Sequence, residues 1–165
     1  MEEFDTGAAK TDVMSEQEKR ERVIRLAFNR DEDLFNEFCD WIKVAVPEGT
    51  AAVLRGSAVT GERYEDGAPF DADGTGTSDL DLNLVGDEIL KYYSILDGFY
   101  LPAVHTKPLS DNDPDIAPGL VRLRDKLMSL VKRPVNIQAS RDFFMHIRGD
   151  ILGQPYLTLF GKVGE

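Results

Sequence analysis

The sequence predicts an α/β domain: a mixed sheet of about four strands, backed by helices on one face. Three observations predict it. Apolar residues recur at intervals of three and four between Val23 and Ala45, the spacing of amphipathic helices. Asp79-Leu80-Asp81-Leu82-Asn83-Leu84-Val85 alternates polar and apolar, the period of a strand with one buried face. Further strand-like and helix-like runs follow, separated by Pro and Gly punctuation.

The elements read in order as follows. Ser15-Glu16-Gln17-Glu18 places Glu three residues after Ser, a capping box, so a helix starts there and runs to Asn29 on Val23, Ile24, Ala27 and Phe28. A second helix spans Asp31 to Val46, with Leu34, Phe35, Phe38, Trp41, Ile42 and Ala45 on one face and acids in its first turn, where the helix dipole favours them. Pro47-Glu48-Gly49 breaks it. Thr50 to Arg55 is a short buried strand, ended by Gly56-Ser57, and Ala58-Val59-Thr60-Gly61 begins a short helix. Glu62 to Thr77 is a long polar insert rich in Gly and Asp. After the alternating strand, Gly86-Asp87 turns the chain, and Asp87 to Leu96 is predicted helical. Pro102 to Pro118, with four prolines, is loop. Gly119 to Lys132 is a helix with Leu120, Leu123, Leu127, Leu130 and Val131 on one side, stopped by Pro134. Val135 to Ala139 is a third strand and Arg141 to Arg148 a short helix. Pro155 to Phe160 is a last strand whose leading proline suits a sheet edge. Residues 1–14 are expected as a flexible tail and 15–165 as a single domain, a size that can bury its own core.

Composition bounds the function. The formal net charge of −11 repels phosphate backbones, so a long nucleic-acid footprint is not expected, whereas one nucleotide needs only a local cradle. No apolar stretch approaches the roughly 20 residues that span a bilayer, and the polar, acidic start lacks the pattern of a secretion signal. The lone Cys39 excludes an internal disulfide framework; it lies in an amphipathic run and reads as a packing residue. A reducing cytoplasm is the expected compartment.

The chemistry-bearing residues are few. Asp79 and Asp81 share one face of their strand, about 6.5–7 Å apart at Cα. Carboxylates so placed repel unless a cation lies between them, and Mg²⁺ prefers oxygen ligands of this kind. The same pair also reads as an acidic solvent-facing strand. Gly56-Ser57 lies where a buried strand meets a helix start. Glycine there lets the backbone approach a phosphate and Ser57 adds a hydroxyl donor; the alternative is a strand-ending turn.

Leu54-Arg55-Gly56-Ser57 followed by Ser78-Asp79-Leu80-Asp81-Leu82 resembles the polymerase-β-like nucleotidyltransferase superfamily, and the resemblance covers roughly Thr50 to Phe160. It implies that Gly56 and Ser57 bind the phosphates of a nucleoside triphosphate such as ATP; Arg55 beside them is a nucleotide-binding candidate that points either toward the site or across a salt bridge. It also implies that Asp79 and Asp81 are the catalytic metal ligands, holding two Mg²⁺ for transfer of a nucleoside monophosphate to an acceptor hydroxyl. A helical partner protein, or a second copy of the chain, is a further implication.

The chain departs from the pattern twice. Twenty-one residues separate Ser57 from Asp79, longer than is usual for the family. Asn136 stands in Pro134-Val135-Asn136-Ile137-Gln138 where a third carboxylate is expected, and an amide accepts no proton at neutral pH. Asp71, Asp73 and Asp142 are the candidate replacements; without one, the reading becomes a catalytically silent nucleotide-binding module. A competing reading takes Asp71 to Leu82 as a calcium loop, with acids at positions one, three and nine and Gly76 at six, but Leu82 replaces the required Glu and a strand follows instead of a helix.

Other residues read more plainly. His105 and His146 lack ligand spacing and are expected at the surface or in packing. Lys132, Arg133 and Arg141 either reach the triphosphate or match a helix C-terminus. Tyr92, Tyr93, Phe99 and Tyr100 are expected mainly in the core.

Overall fold

The computed structural model describes residues 14–63, 65–142 and 155–161. The expected tail and most of the helix expected over Arg141 to Arg148 lie outside these residues, as does His146. The fold is mixed α and β: four helices and one six-stranded mixed sheet.

Helix α1 (Glu16–Ala27) begins on the expected capping box. The Ser15 hydroxyl accepts from the Glu18 amide at 3.1 Å, and the Ser15 amide donates to the Glu18 carboxylate at 3.2 Å. It stops before the expected Asn29, because Asn29 and Arg30 take left-handed conformations, φ 52° and 60°, that end a helix. Helix α2 (Glu32–Ala45) is capped by Asp31, whose side chain accepts from the Leu34 amide at 3.1 Å. Phe28, between the helices, packs against Phe35 and Phe38 with ring centroids 5.2 and 5.1 Å away.

Strand β1 (Ala51–Arg55) leads through Gly56 into the one-turn helix α3 (Ser57–Thr60). After the insert comes β2 (Leu80–Val85), then a 3₁₀ helix at Glu88–Tyr92 where a longer helical run was expected. Strands β3 (Phe99–Leu101) and β4 (His105–Thr106) precede helix α4 (Pro118–Val131), β5 (Val135–Ser140) and β6 (Tyr156–Phe160). The sheet order is β3-β4-β5-β2-β1-β6. Only β2 and β5 pair in parallel, and β6 forms an edge as its proline suggests.

The count of six strands exceeds the expected four. The two additional strands, β3 and β4, lie between Phe99 and Thr106, a stretch expected as aromatic packing and loop. At three and two residues they are too short to show a period. They exist because β4 pairs with the end of β5, His105 opposite Ser140, and Leu109 bridges Ile137 farther along.

One face of the sheet is apolar. Leu54, Leu80, Leu82, Leu84, Val135, Ile137 and Leu157 join Ile24, Phe38, Ile42, Leu120 and Leu127 of the helices in one buried cluster. Period-two alternation then sends Arg55, Asp81, Asn83, Asn136 and Gln138 to the opposite face. The aromatic stretch divides: the buried Tyr93 hydroxyl donates to the Ile137 carbonyl at 2.6 Å and its ring meets Phe99 edge-on, while Tyr100 is exposed and stacks on His105. Among the described residues, no helix is long and apolar enough to cross a membrane.

Candidate functional site

The sheet's polar face ends in a cleft of about 420 Å³ where β1 gives way to α3 and the insert joins β2. The five residues read from the sequence as nucleotide- or metal-binding, Arg55, Gly56, Ser57, Asp79 and Asp81, all line it. Register explains why. Arg55 pairs with Asp81 across β1 and β2, and Asp81 pairs with Asn136 across β2 and β5, so the three stand in one row. Asp79 lies one residue before β2, whose Leu80 amide donates to the Pro134 carbonyl at 2.9 Å.

Gly56 is required here twice over. Its φ of +83° lies in the region that favours glycine, and a Cβ built on it falls 2.5 Å from the Asp81 Oδ2. The missing side chain therefore lets the Asp81 carboxylate lie against the Gly56 backbone. The Val59 and Thr60 amides both bond the Gly56 carbonyl, at 3.0 and 3.1 Å, which closes the turn and presents Ser57 at its start.

Asn136 stands between the two acids. Its Nδ2 donates to Asp79 Oδ2 at 2.6 Å and to Asp81 Oδ1 at 3.3 Å. The amide thus bridges carboxylates that would otherwise repel. Arg55 reaches across β2 and donates to the Gln138 Oε1 at 2.6 Å. Gln138 is in turn fixed by the Thr106 carbonyl at 2.7 Å and by His105 Nε2 at 3.0 Å, while His105 Nδ1 meets the Ser140 hydroxyl at 3.0 Å. His105 is buried in this network, the packing role expected of it.

The insert walls the cleft. Arg63, Glu65, Asp73 and Thr77 line it, none of them singled out in the sequence except Asp73, and Ser78 of the motif follows them. Their shared signal was the unusual length of the insert, which gave no register for picking individuals. The insert is fastened by Asp71. Its two oxygens accept from Arg133 at 2.8 and 3.1 Å and from the Ser78 and Gly76 amides at 2.9 and 3.2 Å. Burial works against the Asp71 charge, but the Arg133 guanidinium and the two amides outweigh it and hold the carboxyl below its usual range. Arg133 also donates to the Ser78 carbonyl at 2.9 Å and lies 4.7 Å over the Phe70 ring.

Several sequence expectations are corrected by this clamp. Arg133 is buried against Asp71 and does not line the cleft, and neither do Lys132, at the end of α4, nor Arg141, paired with Asp142 at 3.1 Å. Asp71 cannot replace the third carboxylate, because its oxygens serve the insert. Asp73 does line the cleft but pairs with Arg63 at 2.7 Å, and Asp142 does not line it. The same pairs oppose the calcium-loop reading, since Asp71 and Asp73 each bind an arginine.

The donor types are those Mg²⁺ takes: two carboxylates on adjacent positions of one strand face, lining one cleft. Among the described residues no group of three His, Cys, Asp or Glu side chains gathers to hold an ion. Cys39 is remote from this chemistry; burial first, and then Asp40, push its thiol up to about 12. No protein family, curated protein or solved structure matches this chain.

Proposed function

We propose that this chain binds a nucleoside triphosphate with Mg²⁺ in the cleft and transfers its nucleoside monophosphate to an acceptor hydroxyl. One observation carries the reading: Gly56 and Ser57 face Asp79 and Asp81 in a single cleft, and a Cβ on Gly56 would strike Asp81. Asp79 and Asp81 would hold Mg²⁺, which when bound supplies charge neutralisation to the triphosphate and the departing pyrophosphate. The bare Gly56 backbone lets the phosphates approach, the Ser57 hydroxyl donates to them, and Arg55, oriented by Gln138, adds positive charge. In the reaction the acceptor oxygen bonds the α-phosphorus, the bond from that phosphorus to the bridging oxygen breaks, and pyrophosphate leaves with the electron pair. The hydroxyl proton passes to solvent water, since Asn136 cannot accept it.

Calorimetry with a nucleoside triphosphate and Mg²⁺ tests the reading. Binding is expected to the native chain and to be lost in Asp79→Ala plus Asp81→Ala; an absence of binding to the native chain sinks it. The acceptor can be a small molecule, a protein or an RNA end. The proposal sets the chain in the cytoplasm, with a helical partner or a second copy completing the assembly.

Asn136 favours a second reading, a silent nucleotide-binding module, because the residue opposite Asp81 cannot serve as the base. Asn136→Asp separates the two. Pyrophosphate release by the native chain supports the transferase; release by the variant alone supports the module.

A further inference from the structure

The cleft's donor set differs from a two-ion site in one residue, and that residue occupies the gap between the acids. Resting on the metal-nucleotide reading above, we propose that the cleft takes a single divalent ion, the one carried by the triphosphate, and that a neutral residue at position 136, where a third charge would be needed, leaves a second ion without a ligand. The direction of the amide follows from chemistry. Ionised carboxylates only accept hydrogen bonds, so the Asn136 NH₂ must face them, and it does so at 2.6 and 3.3 Å. Those N–H groups point positive dipoles at the place where a cation shared by both acids would sit.

Turning the amide over replaces the NH₂ by a neutral carbonyl oxygen. The set then comprises two negative oxygens' worth of charge from Asp79 and Asp81 plus one neutral donor. One divalent ion shared with the triphosphate takes both carboxylates as its protein ligands, and a second ion would have no protein carboxylate of its own. The neighbouring acids do not make up the deficit. Asp71 spends both oxygens on Arg133, Ser78 and Gly76, and Asp73 is paired with Arg63 at 2.7 Å.

The test counts ions rather than turnover. The full chain is equilibrated with Mn²⁺ and a non-hydrolysable nucleoside triphosphate, and protein-bound Mn²⁺ is counted per bound nucleotide by equilibrium dialysis and electron paramagnetic resonance. One Mn²⁺ per nucleotide is expected for the native chain and two for Asn136→Asp, with magnetic coupling between the paired ions. Asn136→Ala, which removes the amide without adding charge, is expected to keep one, and it serves where the acidic variant fails to fold. Two ions in the native chain or in Asn136→Ala overturn the proposal, as does a single ion in a folded Asn136→Asp. Failure of the underlying reading looks different: no nucleotide is retained by the native chain at all.

Discussion

At the residue scale, the backbone of Gly56 sets how closely the β1–α3 turn approaches Asp81. Replacing it with Ala imposes a left-handed conformation on a residue that resists it, a penalty of roughly 1–3 kcal/mol, and sets a methyl against Asp81. Gly49 offers an internal control. Its φ of +88° is similar, yet a Cβ there meets nothing within 4 Å. Both Gly49→Ala and Gly56→Ala are therefore expected to lose stability in urea titrations, Gly56→Ala the more, while only Gly56→Ala loses calorimetric Mg²⁺-nucleotide binding. Equal binding by both variants would remove Asp81 Oδ2 from the site. A second residue-scale prediction concerns the clamp. Asp71→Asn leaves the buried Arg133 guanidinium without its carboxylate, and at pH 7 this is expected to cost about 3 kcal/mol. The folded carboxyl titrates below its ordinary 3.8, so its contribution is complete above that value and fades as pH falls through the lower, folded one. The stability gap between native chain and variant should accordingly be wide at pH 7 and narrow towards pH 3. A gap that widens on acidification would reverse the assigned sign.

At the scale of elements, what the sequence revealed depended on length and period. Helices α1, α2 and α4 were legible because their apolar spacing runs over several turns, and in α1 and α2 a cap also marks the start. Ser15→Ala is expected to destabilise α1 by about 1 kcal/mol, read from the urea midpoint, since it removes the hydroxyl that accepts the Glu18 amide. Strand β2 was legible from its alternation, and that alternation also put Asp81 on the polar face. Strands β3 and β4 were not legible, because so short a strand is specified by its partner and not by its own residues. The same distinction divides the candidate site. Gly56, Ser57, Asp79 and Asp81 belong to a local pattern that survives as spacing. Arg63 in the cleft wall and Gln138 beneath Arg55 do not, because Gln138 meets Arg55 only through the placement of β5 two strands from β1. Arg133 shows the converse: proximity to a strand end suggested the triphosphate, and a carboxylate 62 positions away claimed it.

At the scale of the whole molecule, charge sets a condition on everything above. Thirty acids face nineteen Lys and Arg, so the folded chain concentrates a net −11. Two terms respond to salt in opposite directions. Screening relieves the general repulsion, which stabilises the fold, and it weakens surface ion pairs, which destabilises it. The pairs at the surface, such as Lys91–Glu88 and Arg20–Glu32, involve exposed carboxylates and contribute between nothing and about 1 kcal/mol each. The buried Arg133–Asp71 pair is shielded from ions and changes little. Repulsion is therefore the larger salt-sensitive term, and raising NaCl from about 10 mM to about 150 mM, which shortens the screening length from roughly 30 to 8 Å, should raise the urea midpoint. Mg²⁺ at equal ionic strength should raise it further, through Asp79 and Asp81, and the increment should vanish in Asp79→Ala plus Asp81→Ala. Should the midpoint fall with NaCl, the surface pairs outweigh the repulsion. Should the Mg²⁺ increment persist in the double variant, the ion is acting on the general acidity of the surface and not in the cleft.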